Sequence, residues 1–402
     1  MEEEQRDKIL SSLLLDEAEG ISQQVVAWRR EFHQFPELAF EERVTAARIV
    51  QILSDLNGME VITGLGTSTS VVGLLRGDLR KPALMLRSDM DALALEEGTD
   101  LPFASCMPGL MHGCGHDAHM ATLLGAATLL SRHQEDLARP VVFVFQPAEE
   151  GMGGAKSMVE GGLIKRFDIG MALGFHYWPH YSYGKLFTRP GPMTAISDQM
   201  HVEMQGVGGH AAEPHLVVDP IIAMAQLLLA TQSLTNREID PIKAAVVSFG
   251  RVEAGEAYNV IPERVHLWGT VRAFDADTRD YLRKRLEEVV PTISKAFRVM
   301  GTMEYMPYCP STINDEALTE RILELSKSLL GEENVMVMER PLFAGEDFAF
   351  YSQLVPSCFC IMGTGVEYGL HHPKYDIPED LFPLAVAWEA YMGLLLDLQE
   401  VR

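Results

Sequence analysis

The sequence predicts an α/β protein in which a mixed, largely parallel sheet is flanked by helices and interrupted by an inserted ferredoxin-like α+β domain. Three observations predict it. Short apolar runs such as 141–145 alternate with amphipathic helical stretches, which is the rhythm of a parallel sheet. Residues 195–308 instead follow the order β-α-β-β-α-β. At 402 residues the chain is also too long for one ordinary core. The expected segments are 1–194 and 309–402 for the larger domain and 195–308 for the insert.

In the first segment, Val25, Val26, Trp28, Arg29 and Phe32 fall at helical spacing, and a second helix is expected over 41–57. Runs 71–76 and 83–87 are bounded by Gly77-Asp78 and Lys81-Pro82 and read as strands. The second run ends in Ser88-Asp89-Met90-Asp91, and carboxylates at a buried strand end lie where open α/β sheets bind ligands. Met120, Leu123, Leu124, Ala127 and Leu130 then repeat at helical intervals, with Asp117 as the expected N-cap. Strands at 141–145 and 171–175 end at Gln146-Pro147-Ala148-Glu149-Glu150 and at His176. Because parallel strands share one direction, these polar ends gather along one rim beside the helix start.

In the insert, 199–205 alternates as a half-buried strand, and Asp219-Pro220 opens a helix to about 234. Strands are expected at 243–252, 265–274 and 302–308, with a helix over 277–297 interrupted by Pro291. The larger domain resumes with a helix at 317–330, a strand at 358–362 and a helix at 381–396.

Composition excludes several partners. Acidic residues outnumber basic ones 57 to 33, and a formal net charge of -24 argues against nucleic acid or an anionic membrane. No apolar run approaches the roughly 20 residues of a membrane span. The start, MEEEQRDK, lacks the basic and apolar regions of a signal peptide. Five cysteines without a regular framework fit a reducing compartment, so a cytoplasmic enzyme is expected.

The chemistry concentrates in Met111-His112-Gly113-Cys114-Gly115-His116-Asp117-Ala118-His119. Thiol and imidazole together suit zinc and its first-row neighbours. They are also the ingredients of a thiolate nucleophile, with His116 as base and Asp117 as its orienting group. That alternative leaves Glu149, Glu150, His176 and His371 without a task. Glu149 and Glu150 follow a strand and a proline, so adjacent carboxylates can point differently, one toward a metal and one free to move protons. His176 and His371-His372 read in isolation as packing or loop histidines. Gly206 to Gly209 are glycine-rich without the Lys-Ser/Thr of a phosphate loop, and their flexible backbone presents His210. Phe175, Tyr177, Trp178, Tyr181 and Tyr183 suit an apolar acyl pocket or the core equally well.

Taken in order, Arg87-Ser88-Asp89-Met90-Asp91-Ala92-Leu93, His112-Gly113-Cys114-Gly115-His116-Asp117, Gln146-Pro147-Ala148-Glu149-Glu150-Gly151, Gly208-Gly209-His210-Ala211-Ala212, Asn259-Val260-Ile261-Pro262, Gly269-Thr270-Val271-Arg272, Gly345-Glu346-Asp347-Phe348 and Leu370-His371-His372-Pro373 carry a resemblance. From about Arg29 onward the chain resembles the amidohydrolase branch of the aminoacylase-like di-metal peptidases. That branch includes hippurate hydrolases, indole-acetyl-amino-acid hydrolases and N-acetyl-diaminopimelate deacetylases.

The resemblance implies a di-metal exopeptidase-like sheet with a lid and dimerisation insert, and a homodimer acting on small N-acyl amino acids. Cys114, His116, Glu150, His176 and His371 would hold two divalent ions, zinc, manganese, cobalt or nickel, with Cys114 the candidate for the bridging position. His371 is chosen over His372 by the spacing Leu-His-x-Pro. Glu149 would be the general base, and Asp91 would orient a ligand from behind. His210 would reach a partner subunit's site to hold the oxyanion, and Asn259 would contact the oxyanion or the substrate carboxylate. A dipeptidase or carboxypeptidase acting on short peptides is the alternative, and a non-catalytic metal-binding protein would be expected to lack the base. Family members often have Ala where Gly113 stands.

Overall fold

The computed structural model describes residues 2–397, with side chains from residue 7, so the end of the expected 309–402 segment lies outside the described residues. The chain divides into two compact units. One comprises Met1–Met193, Thr312–Pro341 and Asp347–Arg402, and the other Thr194–Ser311 with Leu342–Glu346. The second unit thus takes in 342–346, which the sequence left in the larger domain. The backbone explains this, since Ala195 N–H donates to Ala344 O at 3.0 Å and Thr194 forms a parallel bridge with Leu342.

The larger unit holds an eight-stranded mixed sheet. Its centre is parallel, in the order Val141–Gln146, Ala83–Asp89, Ile169–Trp178, Ser357–Gly363. Every residue of Ala83–Asp89, Val141–Gln146 and Ser357–Gly363 is buried, which is why these strands are continuous apolar runs in the sequence. Antiparallel pairing enters on the flanks, through Val71–Leu75 on one side and Leu186–Thr188 on the other. Three outlying strands, Met59–Thr63, Leu186–Thr188 and Val335–Val337, were not anticipated. Each is only three to five residues long, too short a run for a strand periodicity to show.

Side chains alternate across the sheet. Leu84, Leu86, Phe143, Phe145, Leu173 and Phe175 join one buried cluster with helices His116–Arg132 and Phe382–Leu395. On the opposite face Phe359 meets Phe348 at 5.6 Å between ring centroids. An opening helix, Glu2–Gly20, stands outside the expected elements because its sequence is largely polar; Leu14 and Ala18 nevertheless enter the same cluster.

Helix His116–Arg132 does not begin as expected. Its N-cap is Gly115, at φ 84°, a left-handed conformation that glycine adopts without strain. Asp117 lies in the first turn, where its carboxylate accepts Arg29 Nε at 2.8 Å and His33 Nδ1 at 2.7 Å. It therefore serves as the partner of two buried groups instead of capping the helix.

The second unit is built around a four-stranded antiparallel sheet in the order Ala245–Ala254, Arg264–Ala273, Ile196–Gln205, Met300–Cys309. Helices Pro220–Ser233 and Ala276–Ala296 cover it, with Ala223, Leu227 and Val290 packed against Val202, Met204, Val265 and Leu267. This is the ferredoxin-like arrangement. Asp219 caps the first helix, its Oδ1 accepting Ile221 N–H at 2.8 Å. Pro291 does not interrupt the second helix; it lies on the exposed side, where water can take the carbonyl that a proline leaves unpaired.

Two outcomes test the buried Arg29–Asp117–His33 knot. Arg29→Met should cost about 3–5 kcal/mol, the range for stranding a buried charge, measured by chemical denaturation. His33 is pulled two ways: burial lowers its pKa, but Asp117 overrides this and raises it from 6.5 to about 9. The folded protein therefore binds this proton more tightly than the unfolded chain, so the contribution is full below 6.5 and is lost as pH rises through about 9. His33→Gln should flatten the fall in stability across that window.

Candidate metal centre

The rim is assembled by Asp91, just beyond strand Ala83–Asp89. Its Oδ1 accepts Glu149 N–H at 2.9 Å and its Oδ2 accepts Glu150 N–H at 3.0 Å. The Asp91 backbone carbonyl accepts His116 Nδ1 at 2.8 Å, so Nδ1 carries a proton and Nε2 is the ring's free corner. The loop that brings Glu149 to this point is tightly bent. Ala148 adopts φ 57°, unusual for a residue with a side chain, and its N–H is held by Glu42 Oε1 at 2.9 Å. A Cβ on Gly154 would lie 1.6 Å from Pro147 O, so only glycine lets the following helix pack this closely.

His176 donates from Nδ1 to Tyr177 O at 2.5 Å, which turns Nε2 toward Cys114 Sγ at 3.5 Å. His371 adopts φ 63°, and its N–H donates to Gly113 O at 2.8 Å. Its Nε2 stands 3.1 Å from Glu150 Oε1, yet that oxygen has no hydrogen bond, so the two atoms are close without being aligned on each other. His372 is occupied elsewhere, its Nδ1 accepting Lys374 N–H at 3.0 Å and its ring stacked on Tyr368 at 4.5 Å.

Donor atoms of Cys114, His116 and His176 lie within 4.8 Å of one another, as do those of Cys114, Glu150 and His371, and those of His116, Glu149 and Glu150. Cys114 is common to two of these triplets. Among the described residues, His116 Nε2 and Glu150 Oε1 are buried polar atoms without hydrogen-bond partners, a state costing about 1–3 kcal/mol each. Divalent ions would satisfy both, and the mixed S/N/O donor set suits zinc, manganese, cobalt or nickel. The electrostatics agree. Burial disfavours a protonated His116, but the carboxylates of Asp89 and Asp91 raise its pKa to about 10, so the spot favours positive charge.

The thiolate alternative fares poorly. Burial, then the charges of Glu150 and Glu149, push the Cys114 thiol well above its ordinary value, so a free thiolate is disfavoured. Asp117, the orienting group that this alternative needs, is engaged by Arg29 and His33.

Neighbouring groups have supporting parts. His119 is used at both ring nitrogens: Nδ1 bonds Asp89 Oδ1 at 2.7 Å and Nε2 accepts Tyr177 N–H at 3.1 Å. His112 is buried, and burial lowers its pKa to about 4, so its ring is neutral. Sequence reasoning assigned no role to Asp89, Gln146 or Asp347. Asp89 binds Arg87 Nη1 at 2.8 Å, while Asp347 binds Gln146 Nε2 at 2.8 Å, Arg87 Nη2 at 3.0 Å and Ala155 N–H at 2.9 Å. Asp347 N–H in turn donates to Glu149 Oε1 at 3.4 Å. These residues all stand inside quoted motifs, but nothing in spacing reveals a hydrogen-bond hub. Phe175 and Tyr177 are core residues, packed on Trp388 at 5.5 Å and Phe382 at 6.0 Å respectively, and do not line an acyl pocket.

In the second unit, His210 and Asn259 are brought to one ribbon. Gly209–His210 pairs with Val260–Ile261, and Ala211 N–H donates to Asn259 O at 3.1 Å. The glycines beside His210 provide close packing, not flexibility: a Cβ on Gly206 would lie 2.0 Å from Val218 O. His210 Nδ1 accepts Ala212 N–H at 3.1 Å, which leaves Nε2–H as the exposed donor of the neutral ring.

A parallel-centred sheet with carboxylate and imidazole groups near its strand ends, a thiol and an imidazole at the start of an adjoining helix, and a ferredoxin-like insert define a metal-dependent hydrolase of the di-metal exopeptidase type. The chain belongs to peptidase family M20/M25/M40, whose model matches residues 85–393. It is 38% identical to N-acetyl-L-cysteine deacetylase of Bacillus subtilis (strain 168) over 89% of this chain and 85% of that protein. It is also 38% identical to IAA-amino acid hydrolase ILR1-like 4 of Arabidopsis thaliana, over 93% of this chain and 86% of that one. Among solved structures, the Bacillus subtilis YXEP protein, a dinuclear metal binding peptidase of the M20 family, superposes with a TM-score of 0.79 at 30% identity, covering 94% of this chain and 98% of its own.

Asp91→Ala should release both glutamate amides while leaving the backbone carbonyl that holds His116, and weaken divalent-ion affinity about 10- to 100-fold, measured by titration with a fluorescent competitor. Cys114→Ser should lower bound metal per chain while the far-ultraviolet spectrum stays that of the parent protein.

Proposed function

We propose that the protein hydrolyses N-acyl amino acids to a carboxylate and a free amino acid, using two divalent ions held by Cys114, His116, Glu150, His176 and His371. The observation that carries this reading is the divergence of two adjacent carboxylates. Glu150 turns to His371, while Glu149 is held by Asp347 N–H, buried and 7% exposed at the same rim. When bound, the ions supply Lewis acidity and lower the pKa of a coordinated water.

Glu149 takes the proton of the attacking water as its oxygen bonds to the amide carbonyl carbon. It then delivers that proton to the nitrogen as the C–N bond breaks. Asp91 keeps Glu149 and Glu150 in register throughout by holding both amides. His210, whose Nε2–H has no partner among the described residues, donates to the developing oxyanion from a second copy of the chain, and Asn259 on the same ribbon binds the oxyanion or the substrate carboxylate. The protein therefore acts as a homodimer. A cytoplasmic setting is supported by five free cysteines, among them Cys358 and Cys360, whose thiols share a hydrogen bond at 3.7 Å and no disulfide. Among the described residues no helix is long and apolar enough to cross a membrane.

Glu149→Gln should keep metal content and lose about a hundred- to ten-thousand-fold in kcat; a near-normal kcat would remove Glu149 as the base. On the metal-loaded enzyme, N-acyl amino acids should show higher kcat/KM than dipeptides of the same residues. The reverse order would favour a dipeptidase, and no hydrolysis in either series would favour a non-catalytic metal-binding protein.

A further inference from the structure

A cavity of about 360 Å³ opens in the larger unit away from the donor cluster. That volume falls within the roughly 300–1,000 Å³ of small-ligand sites. Its wall includes Lys81, Pro140 and Asp168, each one or two residues before the central parallel strands Ala83–Asp89, Val141–Gln146 and Ile169–Trp178. The cavity therefore stands at the N-terminal ends of the strands whose C-terminal ends carry Asp89, Gln146 and His176. Six residues of extended strand separate the two ends, roughly 20 Å at about 3.3 Å per residue.

Its charges sort into two kinds. Arg76 pairs with Glu60, with Nη2 to Oε2 at 2.9 Å, and Lys81 pairs with Asp397. Arg166 and Asp168 also line the cavity, but among the described residues neither forms an ion pair, with the other or with any group. The Arg166 guanidinium instead lies 5.7 Å from the centroid of the Phe167 ring. Asp168 holds a left-handed backbone, φ 48°, its carbonyl accepting Ala83 N–H at 2.8 Å. Besides the charged groups the lining is apolar, made by Ile62, Leu74, Pro140, Phe167 and Leu79, which is 63% exposed. One unpaired cation, one unpaired anion and an apolar wall in a single concavity match one ligand chemistry, a zwitterion with an apolar side chain.

We propose that this cavity is an accessory, non-catalytic site for a free apolar α-amino acid, whose carboxylate meets Arg166 and whose ammonium meets Asp168. The proposed amidohydrolysis releases ligands of this class; only the source of the ligand rests on that reading, and the site itself does not. Charge-assisted contacts at both ends give the selectivity, because a molecule lacking either charge leaves one side chain without its partner.

The probe is radiolabelled L-leucine in equilibrium dialysis against the metal-loaded protein. Arg166→Met and Asp168→Asn should each lower the stoichiometry by one leucine per chain or weaken that binding at least tenfold. Leu79→Asp, at an exposed wall position, should weaken it as well, with unchanged thermal melting in all three. 4-Methylpentanoate and isopentylamine, which each lack one charge, should compete at least tenfold less well than unlabelled leucine. Leucine binding unchanged in the variants would overturn the site, and equal competition by the acid or the amine would reduce it to an apolar surface. Hydrolysis of N-acyl amino acids is measured separately. Leucine binding without hydrolysis would sink the proposed function alone, and hydrolysis without variant-sensitive binding would sink this site alone.

Discussion

One buried aspartate holds the rim together. By accepting two successive amides on its two carboxylate oxygens, Asp91 forces residues 147–150 into a tight curl, with Ala148 in the left-handed region. The curl sends Glu149 and Glu150 in different directions although they are neighbours in sequence. The same residue's carbonyl sets the proton position on His116 and so decides which ring nitrogen can bind a metal. Glu149 and Glu150 thus depend on the side chain of Asp91, and His116 on its carbonyl, although the residue need not touch an ion itself.

Around that knot the charges are arranged in sequence outward from the donors. Asp89 faces His116 across 3.6 Å but spends its hydrogen bonds on Arg87 and His119. Its charge is therefore felt where a cation belongs, while its oxygens are held. Arg87 also reaches Asp347, which ties Gln146 and the start of the following helix to the same hub. On the other side of the cluster, Arg29 and His33 neutralise Asp117 in the first turn of the helix that begins with His116. Asp89, Asp347 and Asp117 each have a counter-charge, whereas His116 Nε2 and Glu150 Oε1 at the donor cluster have no hydrogen-bond partner and would be satisfied by ions.

The central strands serve two ends. Their C-terminal tips present the donors, and their N-terminal starts frame a cavity holding an unpaired Arg166 and Asp168. Parallel strands make this possible, because chain direction keeps all the tips on one side and all the starts on the other.

Much of this was legible in residue order. The alternation of apolar runs with amphipathic stretches determined the parallel-centred sheet, and β-α-β-β-α-β order determined the insert, since both follow from local periodicity and chain direction. The residue types of the donor cluster were also visible, as carboxylates and an imidazole where strands end and a thiol and imidazole where a helix begins. Tertiary structure alone decided that Asp117 neutralises Arg29, that His119 is spent on Asp89 and Tyr177, that the Gly206–Gly209 stretch is close packing, and that Asp347 holds the loop of Glu149. Those outcomes depend on hydrogen bonds between segments as many as 201 positions apart, and local pattern carries no record of which distant group fills a given acceptor.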